Sequence, residues 1–256
     1  MNTGPKGPEQ LIETHTPQGV SERLKKGTPQ SYLKDMVYGG IDGTITTFAI
    51  VSGVVGADLA SGIVVILGLA NLIADGFSMA VSNFLGTRAE QQFVQMVRTD
   101  EEREIELIPE GEREEIRQIY ARKGFEGELL EQVVEVITSD KKVWVDTMLQ
   151  EEHSLSLEGP DPKRSAWLTF LAFLIAGFVP VTPFIINLLI DNGMPNPFLW
   201  SAIATAITFF AIGIFKAKVV SAKKIRSGIE TVAIGGMAAT MAYGIGWLLR
   251  GVADNI

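Results

Sequence analysis

The stretch AWLTFLAFLIAGFVPVTPFIINLLI, residues 166–190, decides the fold, because it runs 25 residues without a charge. A helix needs about 20 apolar residues to cross the hydrocarbon core of a bilayer, so the segment reads as a membrane span. Pro180 and Pro183 inside it predict a kink, tolerated where neighbouring helices satisfy the freed carbonyls. Downstream, Phe198–Phe215 and Thr231–Leu249 add 18 and 19 uncharged residues. Upstream, Tyr38–Ala57 and Ser61–Leu85 are as apolar, except that each carries one acid, Asp42 and Asp75. The turn between those two, residues 56–61, is short enough to make them a hairpin. The expected fold class is therefore all-α, a polytopic membrane protein with five transmembrane helices and a helical insert between the second and third.

The composition agrees and excludes several chemistries. Of 256 residues 46% are hydrophobic and none is cysteine, which rules out disulfides, thiolate metal sites and cysteine nucleophiles. Two histidines, His15 and His153, leave no room for a three-histidine zinc centre. A net charge of −8 speaks against nucleic acid as a partner. No Walker-type glycine–lysine pattern occurs. The charge is segregated: residues 88–161 hold 20 acids against 9 bases, and the remainder 10 against 13. The expected division is a mobile N-terminal tail at 1–34, spans one and two within 35–87, an acidic helical metal-binding domain at 88–161, and spans three to five within 162–256. Residues 1–34 have no apolar core, so no cleaved signal is expected.

Lysine and arginine orient the chain. Arg23, Lys25, Lys26 and Lys34 precede the first span, Lys163 and Arg164 the third, and Lys216, Lys218, Lys223, Lys224 and Arg226 join the fourth to the fifth. The opposite loops offer only Arg250. The positive-inside rule then places the N-terminus and the acidic insert in the cytoplasm and the C-terminus outside.

Within the insert, apolar residues recur at helical spacing over 105–108, 116–120, 129–137 and 143–149. Pro109-Glu110-Gly111 and the pair Gly124 and Gly127 read as breaks, and Ser139-Asp140 as an N-cap. Glu101 and Glu104 share one helix face, Glu112 and Glu115 repeat the spacing after the turn, and the two pairs can face each other. Met148 and Glu152 share a face on the last helix, with Trp144 in line. An oxygen-rich cluster without histidine suits Mn²⁺, Fe²⁺, Mg²⁺ or Ca²⁺, and one thioether tilts it toward transition metals. A solvated acidic face is the competing reading.

An acid within a span costs roughly 2.5–3.5 kcal/mol on insertion scales and so should face the bundle or water. Asp42 sits among glycines that allow close helix approach. Asn71, Asp75 and Met79 recur at four-residue spacing and share a stripe on the second span. A carboxylate in a low-dielectric path tends to hold a proton, whereas a metal binds only its ionised form. Metal arrival would expel that proton and metal release would readmit it, which couples the two flows. Thioether sulfur disfavours Ca²⁺ and Mg²⁺.

With these residues laid out, the chain resembles the vacuolar iron transporter family of Fe²⁺/Mn²⁺–proton antiporters over about residues 36–250. The first-span run from Ile41-Asp42-Gly43 to Val51-Ser52-Gly53 is similar to its Asp-Gly signature, and Ser78-Met79-Ala80 to its second-span motif. Glu101, Glu104, Glu112 and Glu115, then Met148 and Glu152, resemble its metal-binding arrangement. The resemblance implies a homodimer with Asp42 and Met79 on a path near its axis, lipid around it, and cytoplasmic carboxylates that gather metal. It implies no cofactor beyond the transported Fe²⁺ or Mn²⁺, with protons as coupling ion. The expected membrane is a prokaryotic cell membrane, or a vacuolar-type membrane in a eukaryote. Small residues at Gly39/Gly43 and Gly236/Gly244 suit close helix packing. Two departures stand out: Ser82-Asn83-Phe84 occupies the place of a common Gly-Glu-Tyr, and Met148-Leu149 that of a Met-Met.

Two other function classes fit the sequence less well. A membrane-anchored ferroxidase would use Glu-x-x-His motifs, but Gln150 and Ile12 stand three residues before the two histidines. A divalent-metal sensor would need no acids in its spans, yet Asp42 and Asp75 are there. The function expected is export of divalent transition metal in exchange for protons, not catalysis.

Overall fold

The computed structural model describes residues 12, 15–26, 31–190, 193–219 and 222–253, and among them every regular element is a helix. The helices are α1 Pro17–Lys26, α2 Leu33–Gly56, α3 Ser61–Leu107, α4 Pro109–Arg122, α5 Gly127–Thr138, α6 Lys141–Glu151, α7 Pro162–Leu189, α8 Pro197–Val219, α9 Lys224–Leu248 and α10 Arg250–Ala253. Two compact units emerge. One comprises residues up to Phe84 together with those from Lys163 onward, and the other is Leu85–Pro162.

In the first unit α2, α3, α7, α8 and α9 are each long and apolar enough to cross a membrane. Their outer faces carry Ile66, Ile73, Phe77, Ile175, Ile207, Ile229 and Met241 in exposed positions. Such rows are unfavourable in water and suited to lipid. Inside, α2 packs on α8 and α9, and its Phe48, Val51 and Val54 form a buried cluster with Val64 of α3 and Phe184 of α7. Glycine allows that approach. A Cβ on Gly43 would collide with the Phe173 carbonyl of α7, and one on Gly246 with the Gly53 carbonyl of α2. The expected stripe is therefore half right: Gly39 and Gly43 meet α7, but Gly236 and Gly244 face open space. Helix α7 continues through Pro180 and Pro183, and the Pro180 carbonyl accepts a hydrogen bond from Ser201 of α8 (2.6 Å).

The second unit is built from the end of α3 with α4, α5 and α6 around Ile105, Ile116, Val134, Trp144, Val145, Met148 and Leu149. Asp140 caps α6, its carboxylate accepting from the amides of Lys142 and Val143. Pro109-Glu110-Gly111, read as a break, instead forms the first turn of α4. The interruption is Ile108 alone (φ −137°), and Pro109 starts the helix because its missing N–H would have no partner there.

The tail at 1–34, expected to be mobile, contains α1. Thr16 opens it, its hydroxyl accepting from the Gly19 amide (3.2 Å), with Pro17 as the first helical residue. Reading the segment by composition alone missed this local capping.

Candidate functional site

The insert draws its carboxylates from three helices. Glu101 and Glu104 lie on α3, Glu112 and Glu115 on α4, and Glu152 at the C-terminal end of α6. The short turn at Ile108 folds α4 back, so the two Glu-x-x-Glu faces meet. All five acids are close enough to act on one another electrostatically.

Two of them are withdrawn from water, Glu101 at 4% and Glu112 at 1% exposure. One oxygen of each, Oε2, is buried with no hydrogen-bond partner. An unpartnered buried carboxylate oxygen costs several kcal/mol or draws a cation. Several acids elsewhere in the insert are paired with bases: Arg98 and Lys142 with Asp146, Arg117 with Glu114 and Glu131, Lys123 with Glu151, and Lys141 with Glu106. Among the described residues no Lys or Arg pairs with Glu101, Glu104, Glu112, Glu115 or Glu152.

Burial pushes Glu112 up to about 7, helped by the charges of Glu115, Glu101, Glu104 and Glu152. Burial also raises Glu115, which shares a proton-mediated contact with Glu152. Such groups hold protons until a cation replaces them.

The sequence reading takes the cluster to be histidine-free, and the structure corrects this. His153 follows the end of α6, and its Nε2 lies 2.7 Å from Glu101 Oε1 and 3.8 Å from Glu152 Oε2. The hydrogen bond to Glu101 raises the imidazole's pKa against the opposing effect of burial. Its position beside Glu152 was the available signal. The contact with Glu101, 52 residues away, was not legible without the fold. Met148 is fully buried within the insert's apolar cluster.

In the membrane unit the candidate path residues lie at matching depths of the α2–α3 hairpin. Asn71 donates to Thr46 (3.4 Å) and Asn83 to Asp35 (2.9 Å), an antiparallel register that sets Asp42 opposite Asp75. The two carboxylates are near enough to repel. Thr46 in turn donates to the Asp42 carbonyl (2.9 Å), so Asn71 reaches Asp42 through Thr46. Asp42 and Met79 line one cavity of about 480 Å³ with Lys34, Asp35, Tyr38, Ser82 and Asn83. Asp75 and Asn71 are not among its walls.

Asp35 was missed. It is 8% exposed and stands two helical turns before Asp42 on the same face, a spacing that could have flagged it. Asn83, the departure from the expected acid, donates to Asp35 and also to Thr169 of α7 (2.6 Å). A carboxylate thus remains at this level, supplied by α2 instead of α3.

The comparisons with known proteins come to the same helices. The family model described as the VIT family matches residues 33–247, from the start of α2 to near the end of α9. The vacuolar iron transporter of Toxoplasma gondii is 36% identical over 87% of this chain and 76% of its own length. Vacuolar iron transporter 1 of Arabidopsis thaliana is 31% identical over 91% of this chain and 89% of its own. The vacuolar iron transporter of Plasmodium berghei is 33% identical, covering 86% and 83%. A family match across the helices that carry both candidate sites, joined to relatives of this identity and coverage, makes the chain a member of the VIT family.

Proposed function

We propose that this protein moves Fe²⁺, with Mn²⁺ as a second cargo, out of the cytosol in exchange for protons. The observation that carries the reading is the insert cluster: five carboxylates without a Lys or Arg partner among the described residues, two of them with buried, unpartnered oxygens. A solvated acidic face would leave its oxygens exposed or paired with a base, as the exposed Glu106 and Glu131 are paired with Lys141 and Arg117. The iron-transporter names of the relatives support iron as the cargo.

In this reading Glu101, Glu104, Glu112, Glu115, Met148 and Glu152 collect the metal in a cytoplasmic domain spanning 88–161. Asp42 and Met79, with Asp75 and Asn71 behind them, carry it across through the helices of 35–87. Helices of 162–256 complete the bundle, residues 1–34 form a cytoplasmic tail, and two copies pair within the lipid. The protons displaced from carboxylates supply the counterflow, so the protein is a secondary transporter with no resident cofactor. Lys and Arg in the intervening loops favour a cytoplasmic insert, in a vacuolar-type or prokaryotic cell membrane.

The test is anaerobic Fe²⁺ uptake into proteoliposomes holding an internal pH probe, beside an Asp42→Ala control. Uptake with opposed proton movement, lost in the control, supports the proposal. Folded protein that passes no Fe²⁺ under either pH gradient sinks it. Oxygen-dependent Fe³⁺ formation in its place would make the protein a ferroxidase.

A further inference from the structure

We infer that His153 is a metal ligand of the insert, and that its imidazole biases the site toward transition metals over Mg²⁺ and Ca²⁺. The inference rests on the metal-binding reading above and adds a nitrogen donor to a set otherwise made of oxygen and one thioether.

The geometry is that of a site. One donor atom each from Glu101, Glu152 and His153 falls within 4.8 Å of the others. Donors sharing an ion at about 2.1 Å stand roughly 3–4 Å apart, so 3.8 Å between His153 Nε2 and Glu152 Oε2 already fits. The 2.7 Å separation from Glu101 Oε1 is a hydrogen bond, and it opens by a few tenths of an ångström when an ion takes the proton's place. Glu101 Oε2 and Glu112 Oε2 are the independent sign of a ligand. Both are buried and unpartnered, so a single imidazolium does not satisfy the cluster.

The backbone holds the ring in place. Beyond α6 the His153 amide bonds the Met148 carbonyl (3.3 Å), and Ser154 takes a left-handed turn (φ 54°). Leu155 returns its amide to the Leu149 carbonyl (2.8 Å) and packs on the apolar cluster. This exit from the helix leaves the His153 side chain 34% exposed, open enough for ligand exchange.

Chemistry supplies the bias. Mg²⁺ and Ca²⁺ take oxygen shells, whereas imidazole suits Fe²⁺, Co²⁺, Ni²⁺ and Zn²⁺. Carboxylates alone would admit the abundant hard cations. A nitrogen donor strengthens binding of the borderline ions and does little for the hard ones.

The test uses the full chain in detergent, free of any affinity tag. Mn²⁺ is bound and nitrogen coupling to the ion is read by electron spin echo modulation, with and without heavy-nitrogen labelling of histidine. Co²⁺ and Mg²⁺ affinities are compared in the unmodified chain, His153→Gln and the control His15→Gln. The expected result is a histidine nitrogen signal that changes with labelling and is lost only in His153→Gln. Co²⁺ affinity falls about tenfold in that variant and Mg²⁺ affinity stays within about twofold. Bound Mn²⁺ without histidine coupling, or equal losses for Co²⁺ and Mg²⁺, overturns the role of His153 and leaves a carboxylate site. Failure of the unmodified chain to bind Mn²⁺ at all overturns the site itself.

Discussion

If the insert binds metal as proposed, Glu112 should make that binding steeply dependent on pH near neutrality. Burial and four neighbouring carboxylates push its pKa up to about 7. It is therefore ionised in about a tenth of molecules at pH 6, half at pH 7 and nine tenths at pH 8. Metal binds the ionised form, so from Glu112 alone affinity falls about fivefold from pH 7 to 6 and rises about twofold from pH 7 to 8. Glu115 and His153, both raised, act in the same direction and steepen the change. At pH 7 about half a proton per bound ion leaves from Glu112. The assay is Mn²⁺ titration of the detergent-solubilised chain, with free Mn²⁺ read by its paramagnetic signal, and proton release measured in weak buffer. Glu112→Gln should bind more weakly at pH 8 and show a flatter profile. An affinity in the unmodified chain that changes less than twofold between pH 6 and 8 would refute the reasoning, as would a variant with an unaltered slope.

Further predictions concern stability and the path. Glu112 has a folded pKa above its unfolded value, so the metal-free fold holds the extra proton and loses stability as pH rises from about 4.5 to 7. Thermal unfolding should show a lower Tm at pH 8 than at pH 5.5, Mn²⁺ restoring it at the higher pH and Glu112→Gln reducing the difference. Gly43→Ala should lower stability by about 1–3 kcal/mol, because its Cβ meets the Phe173 backbone; Gly236→Ala, in open space, should stay within about 0.5 kcal/mol. Asp42→Asn should stop uptake into proteoliposomes while leaving Mn²⁺ titration of the insert unchanged; loss of both would tie Asp42 to folding and not to the path. Asp140→Ala removes the α6 cap and should cost about 1 kcal/mol, visible as a lower denaturation midpoint of the insert.

What the sequence by itself determined is whatever depends on neighbours along the chain. Uncharged runs such as 166–190 and 198–215 specify spanning helices, because in lipid every backbone group must be satisfied within its own segment. The two Glu-x-x-Glu pairs and the Asn71, Asp75 and Met79 stripe are equally local, since helical periodicity puts residues three and four apart on one face. The start of α4 at Pro109 and the helix α1 each hang on one capped or proline-led turn that composition does not reveal. What only the tertiary structure decided are the meetings of distant residues. His153 reaches Glu101 because α6 ends beside α3, and Asp35 is held by Asn83 because the α2–α3 hairpin has one register. Gly39 and Gly43 meet a partner helix while Gly236 and Gly244 do not, although both pairs are small residues on apolar helices. Periodicity says which face a residue lies on, but which element covers that face is a property of packing in three dimensions.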